Sequence, residues 1–398
     1  MNQLTKTLTH VEAIAKAKEV AERIKTRFHL TEELSRQPEE NIQDFIDSGL
    51  VRLMTPKKWG GHELGFDTFS KTAIEIGKAD PSAGWCYTLL VIHSWMFAYF
   101  PEQVQREVWE NNQDASIASS FNPAPGNTVV SVDGGYLLNG EWGYSSGINH
   151  GEWVMVMGFV DVNPENGAPG EILMMMVPKE DYEIQHTWKT VATRGTGSNH
   201  VSLKNVFVPK HRTLDMIGWC QKGEGPGRSV NTNRLYSHPL FAAMPVSLSS
   251  ALLGASIGAY ELWRDTMKSK VSTRNAKVAD FTHSQIRLTE VSAGLAAAEA
   301  LLEKTIERLE TGEPIETYEK IRLRRNYGYV ARMCNQTVKT IVDNSGAGIV
   351  YEGNQINRYW RDVQASSMHY AFNLDMLGEM FGKLELGISL NPKTTLIV

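Results

Sequence analysis

Cysteine is scarce in this chain of 398 residues: Cys86, Cys220 and Cys334 are the only three, and they lie far apart. That spacing excludes a disulfide framework and a thiolate metal site, and fits a reduced, cytoplasmic setting. None of the eleven histidines forms an H-E-x-x-H or H-x-x-E-H pair. With no clustered Asp or Glu either, no metal is expected. A P-loop is missing, and so is any G-x-G-x-x-G that opens a helix, which excludes a Rossmann dehydrogenase. Basic charge is not in excess, and a net charge of -5 speaks against nucleic acid as a partner. The N-terminus has no apolar signal core. Long apolar runs are nearly absent. The main one, Gly84 to Phe100, is short for a membrane span and carries His93 in its middle, so it is expected as a buried helix.

What is present has a clear order. Residues 1–115 read as a helical domain. Val11 to Arg27 is amphipathic, Thr31 to Ser48 starts at a Thr N-cap, and Phe66 to Ala79 and Ser82 to Phe100 follow a loop rich in Pro and Gly. Residues 116–229 turn to short Val-, Gly- and Thr-rich runs. Asp133-Gly134-Gly135 and Asn139-Gly140 are hairpin signals, and an antiparallel β-domain is expected there. Residues 230–398 are helical again. From Gln285 to Leu309, apolar Leu288, Val291, Leu295, Ala298, Leu302, Ile306 and Leu309 recur at threes and fours, which is the seam of a helical bundle. Gly and Ala in 251–259 permit close helix packing. The class is α+β, with helices, a β-domain and a bundle in sequence.

Two loops could hold a planar heteroaromatic ligand. Trp142-Gly143-Tyr144-Ser145-Ser146-Gly147 sets adjacent hydroxyls after an aromatic strand. Arg194-Gly195-Thr196-Gly197-Ser198 offers hydroxyls and close backbone approach. The plain alternative is two Ser-Gly loops, and for each of the ten tryptophans it is core packing. His93 and His369 are the histidines set among apolar neighbours, where a satisfied core residue is the plain alternative to a catalytic one.

Taken together, Gly49-Leu50, Pro56, Gly60-Gly61, Asp80-Pro81-Ser82-Ala83-Gly84-Trp85, Trp142 with Ser146-Gly147, Arg194 to Ser198, Val208-Pro209 and Arg361-Asp362 resemble the acyl-CoA dehydrogenase superfamily along nearly the whole chain. Within it they resemble the two-component flavin-dependent aromatic monooxygenases. In the dehydrogenases a Tyr-Glu-Gly after Arg-Asp can supply the base. Here those positions fall on His369, Tyr370 and Ala371, and Asn233-Arg234 stands where the alternative Glu-Arg pair would be. Both carboxylate sites are empty.

The resemblance implies a dehydrogenase-like fold with a C-terminal four-helix bundle. It implies an oxygenase component that takes reduced FMN or FAD from a separate NAD(P)H-dependent flavin reductase. With O2, by way of a C4a-hydroperoxide, it would hydroxylate a small phenol or indole. Ser146, with Ser145 as its rival, would meet the flavin N5. Ser120 (or Ser119), Trp142, Thr196, Gly197 and Ser198 would join in holding the cofactor. His93, Arg234 and Tyr370 would meet substrate, and His369, Ser146 and His93 would be catalytic. A neutral histidine near its ordinary pKa could take a phenolic or N–H proton. A homotetramer is implied, with residues 344–353 reaching a neighbour's flavin. The alternatives are an acyl-CoA dehydrogenase, an N- or S-oxidising member of the same branch, and a non-catalytic flavin-binding protein.

Overall fold

The computed structural model describes residues 7–391 apart from 164 and 166. Helix α1 (His10–Thr26) opens with a capping box, in which Thr9 and Glu12 each accept the other's backbone N–H. The single helix expected from Thr31 to Ser48 is two, α2 (Phe28–Leu34) and α3 (Glu39–Asp47). Ser35 adopts the left-handed region at φ 53°. Pro38, not Thr31, caps α3, and a helix does not run through such a pair. Next come α4 (Phe66–Ala79), α5 (Pro81–Phe97) and α6 (Glu102–Trp109). In α5 the Asp80 carboxylate accepts from Ala83 N at 2.9 Å and Pro81 takes the first helical position. Every α5 residue except Leu89 is buried, so the apolar run is a core helix.

One nine-stranded sheet follows: β1 (Ile117–Ser120), β2 (Asn122–Pro123), β3 (Thr128–Val132), β4 (Gly135–Ser145), β5 (Trp153–Val160), β6 (Glu171–Pro178), β7 (Glu183–Gln185), β8 (Asn199–Pro209) and β9 (Thr213–Asp215). Its main path is β7-β8-β4-β3-β5-β6-β9. The sheet is not wholly antiparallel as expected. Strand β1 pairs with β5 in parallel, because it enters directly from the helices and no hairpin fixes its direction. The Asp133-Gly134 turn does join β3 to β4. Asn139-Gly140 is no turn. It lies inside β4 at a register shift against β8. Gly140 has φ 131°, and a Cβ there would come within 2.0 Å of Asn127 Oδ1, so the glycine makes a bulge.

The remaining helices are α7 (Met216–Lys222), α8 (Leu240–Ala243), α9 (Pro245–Ser269), α10 (Thr282–Glu310), α11 (Thr317–Asp343), α12 (Gln355–Ser366) and α13 (Leu374–Glu385). The expected seam of α10 faces inward, with Val291, Leu295, Ala298, Leu302, Ile306 and Leu309 buried. Helices α4 and α9 nearly touch: a Cβ on Gly254 would sit 2.5 Å from the Ile74 carbonyl. Leu240–Ser269 is long and apolar enough to cross a membrane, yet 89% of its most apolar stretch is buried within the protein.

A buried ion cluster ties these layers. Arg358 of α12 meets Asp80 at 2.7 Å. Asp362 accepts from Thr193 N at 2.6 Å and from Ser82 Oγ at 3.1 Å. Arg361 reaches Glu32 at 2.6 Å. Burial pushes Asp362 up to about 6, against the downward pull of Arg358. The Arg361-Asp362 pair therefore clamps α12 to α2, α5 and the loop before β8, and so sets what the following residues face.

Candidate active site

The two Ser-Gly loops meet. Gly147 N donates to the Thr196 carbonyl at 2.9 Å. Above that contact three hydroxyls form a chain: Ser146 to Ser198 at 2.7 Å, and Ser198 to Thr196 at 2.6 Å. The chain has a direction. Thr196 donates its one hydroxyl proton to the Thr193 carbonyl at 2.8 Å, and a carbonyl can only accept. Ser198 must then donate to Thr196, and Ser146 to Ser198. Ser146, the least buried of the three, is left with lone pairs only, so it offers an acceptor to an N–H donor. Next to it, Ser145 Oγ is buried with no hydrogen-bond partner among the described residues. An orphan hydroxyl beside a directed hydroxyl chain suits a polar ring, and the residues fit a flavin.

His93 lies on the buried face of α5. Its Nδ1 is 2.7 Å from the Ile117 carbonyl and its Nε2 is 2.9 Å from Ser119 Oγ. The carbonyl fixes the proton on Nδ1, so Nε2 accepts the Ser119 hydroxyl. Ser119 in turn keeps lone pairs for a further donor. Burial lowers the imidazole to about 4. His93 is therefore neutral at pH 7, and a hydrogen-bond acceptor rather than the base of near-ordinary pKa that was expected.

His369 lies beyond the last turn of α12. α12 ends at Ser366, and His369 caps the short turn Tyr370–Phe372. Its Nδ1 accepts from Ala371 N at 3.1 Å, which leaves the proton on Nε2 and makes that atom a donor. Trp85 and Phe372 wall the ring edge-on, with centroids at 5.7 and 6.2 Å. These walls lower its pKa by disfavouring the charged form. The shift is tempered because the residue is also open to solvent.

Other expected residues fall elsewhere. Ser120 Oγ donates to the Gly143 carbonyl at 2.6 Å, so Ser119 is the serine at His93. Trp142 is fully buried in the sheet core and its indole N–H donates to the Met157 carbonyl at 2.7 Å, which is packing. Gly197, at φ 52°, brings the loop against Asn149 and Arg36. Arg234 is exposed and lies against Gly312. Tyr370 is 56% exposed, and its hydroxyl donates to Met376 Sδ at 3.1 Å. Phe121, Phe241 and Arg324 escaped the sequence reading, and Trp85 entered it only as the end of the Asp80–Trp85 opening. Phe121, next after Ser120, meets Phe241 at 6.1 Å, and Arg324 lies over Phe241 at 5.4 Å and hydrogen-bonds the Tyr370 hydroxyl. Among the described residues no three His, Cys, Asp or Glu gather as a metal site.

Helices, one sheet and a bundle, with paired hydroxyl loops beneath the end of α12, define an acyl-CoA dehydrogenase-like protein. The acyl-CoA dehydrogenase C-terminal domain family matches residues 246–374. Over 371 residues the chain is 31% identical to the oxygenase subunit HsaA, a flavin-dependent monooxygenase of Rhodococcus jostii, covering 92% of the chain and 96% of that protein. It is 30% identical to the oxygenase component of an FADH2-dependent resorcinol hydroxylase of a Rhizobium species, over 98% of the chain and 97% of that protein. The structure of XiaF from a Streptomyces species, in complex with FADH2 and glycerol, matches with a TM-score of 0.87 at 25% identity over 96% of both chains. The chain belongs to the oxygenase components of the flavin-dependent monooxygenases.

Proposed function

We propose that this protein hydroxylates a small phenol-type ring with reduced flavin and O2, the flavin arriving from a separate NAD(P)H-dependent reductase. The His93–Ser119 pair carries this reading. Its outer oxygen accepts a phenolic proton in a hydrogen bond and so raises the electron density of the ring. An imidazole near 4 cannot hold a phenol's proton at neutral pH, so the pair orients and polarises rather than deprotonates. Ser146, Ser198 and Thr196 would hold the flavin, with Ser145 beside them. The acceptor at Ser146 suits the N–H that reduced flavin carries at N5 and oxidised flavin lacks. When bound, reduced flavin with O2 supplies the oxygen atom that is transferred. The Nε2–H of His369 would orient an oxygen at the open edge, while Trp85 and Phe372 exclude water beside it.

A homotetramer in the cytoplasm belongs to the same reading. Val350 and Tyr351, each 74% exposed, offer an apolar contact on the segment expected to reach a neighbour. The test is product analysis with a flavin reductase, NADH and a panel of phenols and indoles. A hydroxylated product formed only when both proteins are present is the expected result. Reduction of tightly held oxidised flavin by an acyl-CoA would overturn it.

A further inference from the structure

The hydroxyl chain takes its direction from one carbonyl, that of Thr193, and Thr193 is strained. Among the described residues seven non-glycine residues have positive φ, and Thr193, at 51°, is the one branched at Cβ. A branched side chain crowds the backbone in this region, so the conformation persists only where neighbours impose it. Two contacts do so. The Thr193 N–H donates to Asp362 Oδ1 at 2.6 Å, a charge-assisted bond inside the core, and the Trp188 indole N–H donates to the Thr193 carbonyl at 2.9 Å. The rest of the loop is seated separately. Gln37 Nε2 donates to the Gly195 carbonyl at 2.8 Å, and a Cβ on Gly195 would come within 2.3 Å of Thr31.

A relaxed Thr193 would turn its carbonyl away from Thr196. The Thr196 hydroxyl could then donate to Ser198, Ser198 to Ser146, and Ser146 outward, which is the chain reversed. We infer that Asp362 of α12 is a positioning residue for the flavin: by holding Thr193 in its strained form it keeps Thr196 committed and Ser146 an acceptor, and so makes the site select the N–H of reduced flavin over the bare nitrogen of oxidised flavin. Asp362 touches neither flavin nor substrate. It acts through one backbone N–H, one carbonyl and three hydroxyls. This rests on the proposed function, in which Ser146 meets the flavin.

The test is anaerobic titration of the full chain with reduced and with oxidised FMN and FAD, read as the ratio of the two affinities. Asp362→Asn keeps the shape of the side chain. Its one amide oxygen must face the Arg358 cation and the Ser82 hydroxyl, which lie 3.7 and 3.1 Å from Oδ2, so its NH2 meets the Thr193 N–H and that bond is lost. Arg358 keeps Asp80. The preference for reduced flavin should fall about 3–10-fold, the scale of one neutral hydrogen bond changing sense. Thr193→Gly, for which positive φ costs no strain, should stay within about 2-fold of wild type, and adding it to Asp362→Asn should restore most of the preference. Trp188→Phe drops the other contact, leaves the ion cluster whole and should lower the ratio about 2-fold. It carries the test should Asp362→Asn not fold. An unchanged ratio in folded Asp362→Asn or in Trp188→Phe overturns the inference. So do equal losses of both redox states in Asp362→Asn, or no rescue by glycine, which are the marks of a merely structural carboxylate. A wild-type protein that prefers reduced flavin, with variants that keep the preference, loses only the assignment to Asp362. Should wild-type protein bind no reduced flavin, the proposed function falls with it.

Discussion

His93 and His369 are the two histidines of the candidate site, and their surroundings give them opposite hydrogen-bonding character. His93 is locked inside, between α5 and β1, with a carbonyl on Nδ1 and a serine hydroxyl on Nε2. His369 stands at the loose end of α12, open to solvent, with a backbone N–H on Nδ1. The first presents an acceptor relay and the second a donor. The difference comes from one atom at Nδ1, an oxygen in one case and an N–H in the other. A ring nitrogen's job is therefore written by the backbone behind it, not by the ring.

The largest effect should come from removing the locked member. His93→Ala leaves Ser119 without its acceptor, and the phenol loses its polarising partner. We expect the hydroxylation rate to fall about 10²–10³-fold, the scale of one lost acid–base or oxyanion-type contact. Reduced-flavin affinity should hold. His93→Gln, which can set an amide oxygen near the Nε2 position, should recover part of the loss. Equal losses for Ala and Gln would mean that only the ring's volume matters. For His369→Ala we expect a smaller drop of about 10-fold, most of it appearing as hydrogen peroxide released per NADH. Here His369→Gln should recover activity through its amide N–H, whereas a carboxylate in His369→Glu should not. A matching rescue by Glu would reverse the donor assignment.

Acid should separate the two rings without any substrate. Burial lowers His62, His93 and His238 to about 4. A histidine depressed in the folded state gives stability that is present above its unfolded value near 6.5 and is lost as pH falls from there towards 4. Asp362 works the other way. Its folded value near 6 lies above the unfolded one, so its protonation favours the folded state across pH 6 to 4. Three histidines against one aspartate leave a net loss of roughly 4 kcal/mol between pH 7 and pH 5. Urea unfolding at both pH values measures it. His93→Gln should flatten the slope by about one proton, while His369→Gln, at an open ring, should leave it nearly unchanged. Equal slopes in both variants would dissolve the contrast between locked and open.

Much of this layout was legible in the residues. The apolar run around His93 and the seam of α10 carry their own periodicity, and the Asp133-Gly134 turn carries its own chemistry. The site was legible only in part. All four residues of β1 are buried, so no alternation could say whether Ser119 or Ser120 turns to His93. Arg324 stands among Arg322 and Arg325, and only the packing of α11 shows which arginine faces in. Arg234 drew notice by its neighbour in the chain, yet its backbone turn leaves it in solvent. The break between α2 and α3 depends on Ser35 entering the left-handed region, which few serines do. His369 was read as catalytic, but its donor character was not legible, because it depends on a backbone N–H two residues on.

The smallest effect should come from turning the hydroxyl chain around. Ser146 is an acceptor only because Ser198 takes its proton, and Ser198 can take it only because Thr196 is committed to the Thr193 carbonyl. Ser198→Ala removes the middle link. Ser146 then keeps its own proton and can donate to an unprotonated ring nitrogen. Oxidised flavin should bind a few-fold tighter to this variant and reduced flavin a few-fold weaker, since one neutral hydrogen bond changes sign at a net worth of about 1 kcal/mol. Ser146→Ala should weaken reduced flavin alike but give oxidised flavin no gain, because no hydroxyl is left to donate. Anaerobic titration of each variant with both redox states reads the ratio directly. A ratio that stays at the wild-type value in Ser198→Ala would show that Ser146 does not face the flavin's N–H. Ser145, whose hydroxyl has no partner, would then be the one to replace next.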